Sequence, residues 1–220
     1  DPDSRCLLQG LAVSLSKRGQ HRQVVELLSG IADQALAQAD IADNSLAELL
    51  LELGNAHHAL GEKELALQRW REGTYGAEGE KRLFIGLNIA QVLCGDKQFD
   101  KAAKLCQDLE PLFPTNENLV YAQGVIAKGT GDFKRAIELF EKALERNPAY
   151  PICINTYGLL LREIGHTHQS RHCFEQALRH DPNFGAAMNN LGSVLKDVVS
   201  VDDRLVLNLR VLKAINYHFL

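Results

Sequence analysis

The chain repeats itself every 34 residues, and no other feature restricts its fold as strongly. Residues 117–150 read ENLVYAQGVIAKGTGDFKRAIELFEKALERNPAY, and residues 151–184 read PICINTYGLLLREIGHTHQSRHCFEQALRHDPNF. Aligned without a gap, Gly124 matches Gly158, Gly131 matches Gly165, Phe140 matches Phe174, Ala143 matches Ala177 and Pro148 matches Pro182. One further step places Gly192 in the same slot, inside NNLGSVLKD. One step back, residues 83–116 supply Ala90, Ala102 and Pro114. Residues 47–80 supply Gly54, Gly61, Ala66, Trp70 and Gly73, followed by a two-residue insertion, Lys81 and Arg82. A degenerate first unit covers 5–46, with Leu8, Leu11, Leu15 and Gly19 and a second helix expected to reach about Leu46. The last unit, 185–220, is atypical.

This pattern resembles the tetratricopeptide repeat family over nearly the whole chain. The resemblance implies an all-α fold, a right-handed α-α superhelix of five to six helical hairpins forming a single solenoid domain over 1–220. The residues explain why. Gly124, Gly158 and Gly192 sit mid-helix, where glycine costs about 1 kcal/mol against alanine. That cost is offset where a second helix crosses too closely for a Cβ. Ala136 and Ala143 are small on the facing helix for the same reason, and Trp70, Phe140 and Phe174 fill the space between units. Pro114, Pro148 and Pro182 stop the second helices, since proline cannot donate the next backbone bond. A single unit cannot bury its apolar faces, so stability comes from stacking.

Composition narrows the function classes. The 220 residues carry 24 Lys+Arg against 28 Asp+Glu, a net charge of −4, with only 6% aromatic residues. A general nucleic-acid binder shows a basic excess, which is missing here. No apolar run is long enough for a membrane span. The cysteines, Cys6, Cys94, Cys106, Cys153 and Cys173, are odd in number and widely spaced, which suits neither a disulfide framework nor a CxxC metal site. A reducing, cytoplasmic compartment is the expectation. The chain starts at Asp1 with no initiator Met and reads as a fragment of a larger protein.

In such repeats the first helix of each hairpin lines a concave groove. The positions this implies here include Asn55, Phe84, Leu87, Asn88, Tyr121, Lys128, Asn155, Arg162, Asn189, Asn190 and Lys196. Asparagine carboxamides offer paired donors and acceptors that hold an extended peptide backbone without reading its sequence. Lys128, Arg162 and Lys196 recur at the repeat period and are expected to form a cationic row suited to an acidic segment. The two-carboxylate clamp by which some family members hold chaperone tails is not matched, because its basic slots hold Leu51, Asn118 and Ala122. NNLGSVLKD is similar to the units preceding the catalytic region of O-GlcNAc transferase, where groove asparagines hold substrate backbones.

No catalytic constellation stands out. His168 and His172 are four apart, but no HExxH and no cysteine pair accompanies them. His57 and His58 fall one on the packing face of their helix and one in the groove. The glycines of GDFKRA and GDKQFDKA are assigned to turns between helices, and no GxxxxGK[ST] or GxSxG occurs. The expectation is therefore a non-enzymatic scaffold or adaptor that binds a protein or peptide, with no cofactor, metal, nucleic acid or membrane. Its alternatives are a substrate-recruiting domain of a larger glycosyl-, sulfo- or methyltransferase, and a homodimerisation module; the apolar tail Leu205–Leu220 is expected to serve a homodimer or a contact with a missing domain.

Overall fold

The computed structural model describes residues 2–38 and 44–196, and their regular structure is helical throughout. The elements are α1 (Pro2–Lys17), α2 (His21–Ala37), α3 (Asn44–Ala59), α4 (Lys63–Thr74), α5 (Gly79–Gly95), α6 (Phe99–Leu109), α7 (Glu117–Gly129), α8 (Phe133–Arg146), α9 (Pro151–Glu163) and α10 (Thr167–His180). A further helix, α11, covers residues 185–196. The chain divides into two compact units, Asp1–Gly129 and Thr130–Leu220.

In the first unit, α1 packs on α2, α3 on α4 and α5 on α6. Each second helix also packs on the first helix of the following hairpin, α2 on α3, α4 on α5 and α6 on α7. The first helices touch in succession, α1 to α3, α3 to α5 and α5 to α7. This is nearest-neighbour stacking, in which each hairpin completes the core of the next. One cluster joins Ala12, Val24, Leu28 and Ala32 to Leu46, Leu49, Leu50 and Leu53. The next joins Ala66 and Trp70 to Leu83, Ile85, Ile89 and Ala102. In the second unit α9 packs on both α8 and α10, and Ala187 of α11 enters the cluster of Ile154, Leu161, Cys173 and Ala177.

Of the close helix crossings expected at glycine, the one at Gly158 is present, and Gly54 makes another. A Cβ added to Gly54 would lie 2.4 Å from Cδ1 of Trp70, and one added to Gly158 would lie 2.8 Å from Cε1 of Phe174. Both aromatic rings are almost completely buried. A Cβ at Gly192 meets nothing within 4 Å among the described residues. The apolar tail Leu205–Leu220 lies outside the described residues. The second helices of the three proline-marked units end before Pro114, Pro148 and Pro182 as expected.

Two expectations are corrected. The second helix of the first unit does not run to about Leu46; α2 ends at Ala37 and Leu46 belongs to α3. The reason is packing: Leu46, Leu49, Leu50 and Leu53 fold back onto Val24 and Leu28 of α2, which a continuous helix would prevent. The turn between α5 and α6 is not made by Gly95, which is the last residue of α5. Lys97 takes the left-handed conformation there, with φ 58°, in the slot that Gly61, Gly131 and Gly165 fill in their own turns. The insertion Lys81–Arg82 lengthens the start of α5, which has 17 residues against 13 in α7 and in α9.

Candidate functional site

On α3 the spacing of Glu48, Leu51, Glu52 and Asn55 sets these residues on one helical face. Phe84, Leu87 and Asn88 do the same on α5, and Tyr121 and Lys128 on α7. Two side-chain contacts tie α3 to α5 at two levels. Lys81 of α5 forms an ion pair with Glu48 of α3. One helical stretch further on, Nδ2 of Asn88 donates to Oδ1 of Asn55 at 2.9 Å. Asn55 Oδ1 also accepts from Nε1 of Trp70 at 3.3 Å, and the same indole N–H reaches the Leu51 carbonyl at 3.3 Å. Trp70 thus does two jobs. Its ring fills the Gly54 crossing, and its single polar atom orients the carboxamide on the first-helix face.

Leu51 and Leu87 are half-buried against the core beneath this face. Phe84 is not; it keeps 47% of its surface exposed. Tyr121 and Lys128 are half-buried and engaged with neighbours. His58 is exposed with its ring centroid 5.6 Å from that of Trp70. His57 points the other way: it is 5% exposed, and its Nδ1 lies 2.6 Å from Oε2 of Glu62, tying the α3–α4 turn.

The second unit repeats the carboxamide pairing. Nδ2 of Asn190 on α11 donates to Oδ1 of Asn155 on α9 at 2.9 Å. Asn155 is only 6% exposed, so its carboxamide is a buried acceptor and Asn190 is the half-buried partner nearer the surface. Asn189 and Lys196 are exposed, and Arg162 is half-buried with a partner of its own. Ile152, in the slot of Phe84, is 49% exposed. Lys128 belongs to the first unit, and Arg162 and Lys196 to the second.

Sequence reasoning identified the asparagines but not their mutual bonds, and it missed the Lys81–Glu48 pair. The signal for that pair was the insertion, which brings a lysine to the first turn of α5, with a glutamate at the fifth residue of the neighbouring α3.

The thiols are poor nucleophiles. Burial pushes Cys106 and Cys153 up to about 12 and Cys173 up to about 11, and it raises Cys94 as well. Among the described residues no three His, Cys, Asp or Glu side chains gather in a way that would hold a metal ion. No helix among them is long and apolar enough to cross a membrane.

Residues 118–150 and residues 157–195 each match a family profile described as tetratricopeptide repeat. No curated protein matches the sequence. Solved structures do. TTC0263, a tetratricopeptide-repeat protein of Thermus thermophilus, is 17% identical with a TM-score of 0.70, over 87% of this chain and 98% of that one. The pilF protein of Pseudomonas aeruginosa is 16% identical with a TM-score of 0.66, over 94% of this chain and 90% of that one. YrrB, described as a tetratricopeptide-repeat protein with an unusual peptide-binding site, is 16% identical with a TM-score of 0.54, over 83% of this chain and 89% of that one. At these identities the likeness is one of fold.

Proposed function

We propose that this chain, with tetratricopeptide-repeat matches at 118–150 and 157–195, is a non-enzymatic scaffold that holds an extended peptide segment of a partner protein against its first helices. The observation that carries this reading is the carboxamide pair, which recurs as Asn88–Asn55 in one unit and Asn190–Asn155 in the other. Each pair uses one donor and one acceptor internally. That fixes the orientation of the outer carboxamide while leaving it further hydrogen-bonding capacity for a peptide backbone. Phe84 and Ile152, half exposed at equivalent positions, offer apolar surface for side chains of the segment. Arg162 and Lys196 in the second unit, and Lys128 in the first, each suit an acidic residue of a segment bound to that unit. YrrB, of similar fold, is described as having a peptide-binding site, which supports the same reading. A reducing, cytoplasmic location belongs to this reading and is supported by the four free cysteines among the described residues.

The test is to pan a displayed library of random peptides against the full chain and against the double variant Asn88→Ala/Asn190→Ala. Enrichment by the wild type that the variant loses supports the reading. Equal enrichment by a folded variant would sink the role of the carboxamides. Replacing Lys128, Arg162 and Lys196 together by alanine tests the acidic component, which fails if affinity and salt dependence stay the same.

A further inference from the structure

We propose that the first-helix face of the first unit contains a subsite for one lysine or arginine side chain of the bound segment, formed by the Glu52 carboxylate and the Phe84 ring. This rests on the peptide-binding reading above and adds the charge of one ligand residue to it.

The placement follows from the two ties between α3 and α5. Lys81 pairs with Glu48 and Asn88 with Asn55, and the sequence offset is 33 residues in both. Between those ties the same offset sets Phe84 and Ile85 level with Leu51 and Glu52. Ile85 is fully buried and Leu51 is half-buried against the core, while Phe84 is exposed and Glu52 half-buried, so this level presents one aromatic ring and one carboxylate.

Charge then selects the occupant. Glu48 has its counter-ion in Lys81, but no cation among the described residues pairs with Glu52. Burial pushes the Glu52 carboxyl above its ordinary 4.5, and no neighbouring charge brings it back. A carboxylate held half out of water without a counter-charge is costly, and an arriving ammonium or guanidinium removes that cost. The face of Phe84, nearly half exposed, attracts the same cation through its ring quadrupole. An acidic or phosphorylated residue at this level would meet Glu52 with like charge.

The experiment pans the displayed random-peptide library against the full chain and titrates synthetic versions of the enriched peptides by fluorescence anisotropy. Enriched peptides are expected to share a lysine or arginine, and Glu52→Gln is expected to weaken them roughly ten-fold or more. Phe84→Leu should weaken them less, since it keeps the apolar surface and removes the ring. The same peptides with norleucine in place of the cation should bind wild type and Glu52→Gln alike. Enriched peptides without a shared basic residue, or basic peptides that bind Glu52→Gln as tightly as wild type, overturn the subsite and leave the peptide-binding reading standing. A library from which nothing is enriched overturns both. A melting curve for each variant confirms that it is folded.

Discussion

Asn88 and Asn55, 33 residues apart in sequence, are joined side chain to side chain by a 2.9 Å hydrogen bond between adjacent hairpins. Asn190 and Asn155 repeat the bond in the second unit. Two stacking contacts are thereby made by polar groups at positions that an apolar side chain could have occupied.

Asn155 tests the structural half of this relationship. It is 6% exposed, and its Oδ1 is the acceptor for Asn190. Asn155→Ala removes a buried bond, leaves a small void and strips Asn190 of its partner. The expected loss is about 1–3 kcal/mol of unfolding free energy. Chemical denaturation measures it, and an unchanged midpoint would show that the pair contributes nothing to stacking.

One substitution type should act with opposite signs at two glycines. Gly54→Ala drives a Cβ to within 2.4 Å of Trp70, so overpacking of about 1–3 kcal/mol outweighs the gain in helix propensity. Gly30 lies inside α2 with nothing within 4 Å of an added Cβ. Gly30→Ala should therefore stabilise by up to about 1 kcal/mol. Thermal melts of the two single variants should move in opposite directions.

Lys97 holds a left-handed backbone, φ 58°, where other turns of the repeat use glycine. Lys97→Gly relieves strain of roughly 1 kcal/mol at the turn, partly offset by greater freedom in the unfolded chain. A small rise in the denaturation midpoint is expected. A fall would mean that the lysine side chain makes a compensating contact.

Glu52 makes stability depend on pH. Its folded pKa is raised above the ordinary 4.5 by burial, so its contribution is fully present below about 4.5 and is lost as pH rises through the folded value. Glu52→Gln should match the wild type in acid and exceed it in stability at neutral pH. Paired melts across that range check the sign, and a variant that is less stable at neutral pH would show that Glu52 has a cation partner.

The repeat, the hairpin type and the helix stops were legible in the sequence because they are local. A mid-helix glycine opposite an aromatic residue, a small residue on the facing helix and a proline after it recur at fixed spacing, and each acts on its own segment or hairpin. Gly54 with Trp70 and Gly158 with Phe174 behave as that pattern requires. The face was legible only as a set of positions. Which asparagine is buried, which is presented, and that Trp70 spends its N–H on Asn55 depend on how one hairpin stacks on the next. Lys81 and Glu48 have the same origin, since charges 33 residues apart become neighbours only when α5 is laid beside α3. That no cation among the described residues pairs with Glu52 was invisible for that reason too. A sequence shows that a carboxylate is present; only packing decides whether a cation reaches it and how much water it keeps.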